Sequence, residues 1–136
     1  PTIVLDDAEE AFQIGARGQK FFAESIQHWN LGTPLPETVP PEIDIRDAVS
    51  DAKEQVEAFM VEGGHPVPAV AASTSPFNID HAYGDKNDAI EYVTQLQSAG
   101  ADEIMCIMQM GGVPHEAAME TIRQYGEYVI PHFSDN

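Results

Sequence analysis

The stretch that most restricts the possible folds of this chain is Ile104 to Met110, seven residues of which only Gln109 is polar. It is far too short to span a membrane. Ile104, Cys106, Met108 and Met110 fall on one alternating face and Met105 and Ile107 on the other. That spacing predicts a strand covered on both sides, as in a parallel sheet or a barrel. Gly100 stands where a left-handed residue closes a preceding helix, and Gly111 and Gly112 permit a sharp turn. Pro114 suits the first turn of a following helix, where its missing N–H would have had no partner. In that helix Met119, Ile122, Gly126, Val129 and Ile130 recur at steps of three and four, which predicts one apolar stripe lying back on the strand. On this reading Ile122→Asp would bury a charge and abolish folding. Residues 99–133 then form one strand–turn–helix unit.

The remainder supplies helices more readily than strands. Pro1 to Leu5 reads as the tail of a strand, followed by Asp6 or Asp7 as a helix cap with Glu9 and Glu10 near the positive end of the helix dipole. Phe12, Phe22, Ile26 and Trp29 form the apolar face of that helix, and Gly15 and Gly18 point to a close neighbour or a kink. Residues 30–43 hold a proline-rich surface connection that excludes regular structure. Asp44 and Asp47 open a second helix with Ile45, Val49, Ala52, Val56 and Phe59 inward, ended by Gly63 and Gly64. The stretch around Val67 is either a short strand or an extended lid. Asp85 and Asp88 cap a third helix with Ile90, Val93 and Leu96 as its buried stripe. Helix, strand and helix in close succession indicate an α/β fold with parallel strands. One firm strand and two weaker candidates, at Ile3 and Val67, cannot build an eight-stranded barrel alone.

Charge narrows the partners. Six basic against 23 acidic residues give a net charge of −17, which repels nucleic-acid phosphates and anionic lipid. With 43% hydrophobic residues the chain has material for one globular core. The lone Cys106 cannot form an internal disulfide, and no signal peptide or membrane-spanning segment is legible, so a cytoplasmic location is expected.

The chemical candidates are sparse. The glycine turn at Gly111 and Gly112 either lets a flat ring or substrate approach the backbone or is purely structural. Phosphate is disfavoured there, because Pro114 lacks an N–H and Glu116 adds negative charge. His115 is a candidate general acid or base as any imidazole is, but it belongs to the first turn of a surface helix, where histidine is usually just solvated. Asp80, His81 and Asp85 match no zinc or calcium spacing, so no metal site is expected. Cys106, within the apolar run and without a base, is expected to be inert and slow to react. No catalytic triad, paired catalytic carboxylates, Walker loop or dinucleotide fingerprint is present.

The block MGGVPHEAAMETIRQYGEYVIPHF, preceded by AGADEIMCIMQ, resembles the C-terminal end of luciferase-like flavin-dependent monooxygenases. The similarity runs upstream through Tyr83, Gly84 and Asp85, although Lys86 stands where that family commonly has proline, and extends more loosely to Ile3. The resemblance implies that residues 1–136 are the C-terminal portion of a TIM (β/α)8 barrel, mostly helical in isolation, with 99–133 as the last strand–helix unit. It implies an enzyme that uses reduced flavin, FMN or in some relatives a deazaflavin, with oxygen on a small organic substrate, as a homo-oligomer. Catalytic side chains and the flavin phosphate site would come mostly from earlier strands, so no catalytic residue is assigned. Met110, Gly111 and Gly112, with Gln109, are the positions implied to lie near flavin or substrate. The isolated chain is expected to be inactive. The competing expectation is a small acidic α/β module that binds a partner protein without flavin.

Overall fold

The computed structural model describes residues 1–48 and 82–134. Within them the chain is mostly helical around a small parallel sheet. Strand β1 (Thr2–Val4) pairs in parallel with β2 (Ala82–Gly84), with Ile3 beside Tyr83. Helix α1 (Ala8–Leu31) follows β1, α2 (Lys86–Ser98) follows β2, and α3 (His115–Gln124) leads through a π-helical turn, Tyr125–Val129, into α4 (Ile130–Ser134). In the π turn the Ile130 N–H reaches back five residues to the Tyr125 carbonyl.

The helix starts follow from short acidic side chains that satisfy amides left without intrahelical acceptors. The Asp7 carboxylate accepts from the N–H groups of Glu9 and Glu10 at 2.9 and 3.0 Å. Asp85 accepts from Asn87 and Asp88, while the Asp88 carboxylate accepts from the Asp85 N–H at 2.8 Å, closing a reciprocal capping box. Gly100, at φ +95°, follows the end of α2 as expected. The prolines leave residues 33–40 without regular structure, and a helical turn at 45–48 begins on Asp44, with Ile45 fully buried. The expected positions Val49 to Phe59, Gly63, Gly64, Val67, Asp80 and His81 lie outside the described residues.

β1 is the centre of the packing. Its alternating side chains enter two cores: Ile3 and Leu5 meet Ala11, Ala16, Ile45, Tyr83 and Met110, whereas Val4 meets Ala89, Tyr125 and Val129. Its backbone alternates as well. Leu5 N–H donates to the Gly84 carbonyl at 3.1 Å on the β2 edge. On the other edge Thr2 N–H donates to Ile107 O at 2.9 Å, and Val4 N–H donates to the Thr121 hydroxyl at 3.0 Å. That hydroxyl also lies within donating distance of the Val4 and Ala117 carbonyls.

This arrangement corrects two expectations. Ile104 to Met110 runs beside β1 but forms no regular strand, and it is covered on one side alone. Cys106 and Met108 are half-buried and Met110 is buried, whereas Ile104 and Ile107 are exposed and Met105 is 89% exposed. The reason is at Val4, where a helix hydroxyl occupies the edge a paired strand would use, so the segment keeps the single bond to Thr2. The stripe on α3 is also rotated from the expected one. Met119, Ile122 and Ile130 face solvent, Ile122 being 52% exposed, and of the five predicted positions Val129 alone is buried. The inward face is Ala117, Ala118, Thr121, Gln124 and Tyr125. Small side chains let α3 approach closely enough for Thr121 to reach the β1 backbone, which a bulky stripe would have prevented. Ile122→Asp is therefore expected to fold.

Two further differences concern the strands and α1. β2 was not foreseen as a strand, because Tyr83 and Gly84 resemble a helix start; it exists through its pairing with β1. On α1 the predicted face has the right periodicity and Phe12 packs against the core, but its C-terminal part lacks a partner among the described residues. Gly15 packs under the Tyr83 ring, where an added Cβ would lie 2.7 Å from Cε1, and Gly18 lies against Val113 and Met110. Phe22, Ile26 and Trp29 continue the same helical face and are exposed, Trp29 by 87%. On α2, Ala89 is the buried residue, with Ile90, Val93 and Leu96 half-buried. The described residues alone do not trace a barrel.

Candidate functional site

An open cleft of about 420 Å³ lies where β1 gives way to α1 and α3 packs across it. Leu5, Ile14, Pro114 and Ala117 provide its apolar lining, and Asp6, Asp7, Glu10, Glu116 and Glu120 contribute carboxylates. Three of these acids are fixed by the fold. Asp7 caps α1, and the Gln124 amide donates to Asp6 at 2.6 Å and to Glu120 at 2.9 Å. Arg123 forks onto Glu120, and this pairing, followed by the Gln124 bond, lowers the Glu120 carboxyl to about 2. The Gln124 carbonyl oxygen is buried without a partner among the described residues.

The five carboxylates give the cleft an acidic lining, which disfavours anions. Among the described residues no three His, Cys, Asp or Glu side chains converge as a metal site, and no helix is long and apolar enough to cross a membrane. Among the described residues that line this cleft there are acidic groups but no serine, threonine or cysteine.

The residues implied by resemblance lie together at the turn that enters α3. Met110 is buried against Gly18, and its carbonyl accepts from Val113 N–H at 3.1 Å, closing the turn. Gly111 adopts φ +52°, and a Cβ there would lie 2.5 Å from the Gly18 carbonyl, so glycine is required on two counts. Gly112 is exposed and has open space where a side chain would be. The Gln109 amide donates to the Val113 carbonyl at 3.2 Å and so braces the same turn. Pro114 is the N-cap, one position ahead of its expected place, and His115 is exposed at the start of α3.

Cys106 is half-buried, less enclosed than expected, beside the Tyr125 phenol, whose pKa is raised by burial and then by Cys106. Sequence reasoning passed over Thr121, Gln124 and the cleft carboxylate Glu120, and read Glu10 only as a charge at the start of α1. The signal available for the first two was the spacing Ala117, Thr121, Gln124, a small and polar face at helical period. No family, curated protein or solved structure matches the chain.

Proposed function

We propose that this chain is the C-terminal part of a luciferase-like flavin-dependent monooxygenase, a cytoplasmic, homo-oligomeric TIM barrel that acts with reduced FMN, or a deazaflavin, and oxygen on a small organic substrate. The sequence block from Met110 to Phe133 motivates the reading. The observation that carries it is the length of α1 against the sheet beneath it. The face that packs on Tyr83 and Met110 at Gly15 and Gly18 runs on through Phe22, Ile26 and Trp29, apolar and without cover among the described residues. A helix built in this way has room for more sheet than β1 and β2 provide. The exposed face of Met105 and Ile107 points to the same need.

The described residues do not suit the phosphate end of FMN, because five carboxylates line the cleft and no arginine does. That end of the cofactor falls to residues elsewhere in the full protein. Gly111, Gly112 and Gln109 are the positions in this chain that could approach a flat ring or a substrate. When bound, the reduced flavin would supply the electrons that activate oxygen.

The test compares this 136-residue chain with the product of the longest reading frame that contains it. FMN affinity by fluorescence quenching and flavin-dependent oxygen consumption are measured on both. Micromolar binding and turnover by the longer product, with neither in the short chain, supports the proposal. A longer product blind to flavin removes it in favour of a flavin-free interaction module, and micromolar FMN binding by the short chain removes the division of labour.

A further inference from the structure

We draw no further inference here: the strongest candidate, the apolar stripe of Phe22, Ile26 and Trp29 on the C-terminal half of α1, carries nothing beyond the reading already proposed, because nothing in the structure shows what covers it.

Discussion

The two long sides of this molecule are finished to different degrees. Where α3 meets β1, Thr121 and Gln124 are fully buried, yet their hydroxyl and amide N–H groups are engaged, by Val4, Ala117, Asp6 and Glu120. Along the C-terminal half of α1 and the outer face of residues 104–110, Trp29, Ile26, Met105 and Ile107 lie bare. The contrast inverts the usual expectation, with polar groups inside and large apolar groups outside. It teaches that the α3 contact, apart from the unpartnered Gln124 side-chain carbonyl, is a hydrogen-bonded interface in which a helix hydroxyl stands in for strand pairing. The outer half of α1 carries an apolar face without cover among the described residues.

The largest effect should come from forcing bulk where α1 packs on the turn that enters α3. Gly18→Val would place a Cβ 2.6 Å from Val113 and 2.9 Å from the Met110 carbonyl. It should cost about 3 kcal/mol, as overpacking of a fixed core does. Urea unfolding measures this, and an unchanged midpoint would show that α1 does not lie on the glycine turn.

Next comes Thr121→Val, which keeps the shape but leaves the Val4 N–H without its acceptor, at a cost of about 1–3 kcal/mol. Thr121→Ser should retain most of the stability. Equal losses in the two variants would mean that the methyl group, rather than the hydroxyl, holds the edge of β1. Amide exchange at Val4 provides a direct readout, faster in the valine variant alone.

On the bare side, Ile122→Asp and Trp29→Ala should each change the stability of this chain by less than about 0.5 kcal/mol. The two then separate. In the longer product Trp29→Ala should cost about 3 kcal/mol, as loss of a buried tryptophan does, while Ile122→Asp stays near neutral if α3 keeps its outward face. If Trp29→Ala is equally mild in both proteins, the stripe on α1 is an ordinary surface.

The smallest effect is electrostatic. Hydrogen bonds from Arg46 and then Gln13 hold the exposed Glu9 carboxyl at about 2, and Arg123 and then Gln124 do the same for Glu120. Both folded values lie below the ordinary carboxylate range near 4.3. The stability these pairs add is therefore complete above about pH 5 and is lost as pH falls toward 2. Thermal melts across that window should show a shallower decline for Glu9→Gln and Glu120→Gln than for the parent chain. A decline of the same slope in all three would place the acid sensitivity elsewhere.

The helices were legible because their starts are written in neighbouring residues. Asp7 and Asp85 cap whatever follows them, and prolines at 34, 36, 40 and 41 exclude helix or strand in any context. The turn at Gly111 was legible for the same reason, since its φ is a local requirement. What could not be read was the choice of partner. Apolar alternation in residues 104–110 states that burial is available on both faces, but a competing hydroxyl at Val4 decided how much pairing occurred. Likewise α3 carries two candidate faces at the same period, and hydrophobicity alone favoured Met119 and Ile122. The nearer, smaller face won because β1 needed a donor and an acceptor along its second edge. The cleft carboxylates were hidden for a related reason: Asp6 and Glu120 are far apart in sequence and meet through Gln124.

The π turn at Tyr125–Val129 acts as a phase control for the end of the chain. A π turn accommodates one residue more than an α turn, so losing a single residue there would let α3 and α4 continue as one α-helix. Everything beyond would then keep its phase, whereas closing the same residues as an α turn with none removed would swing it by about 100°. Phe133, packed against the cluster of Val4, Ala89 and Tyr125, would thus keep its place. A one-residue deletion at the exposed Gly126, where an added Cβ would meet nothing within 4 Å, should thus disturb the core less than a one-residue deletion inside α3.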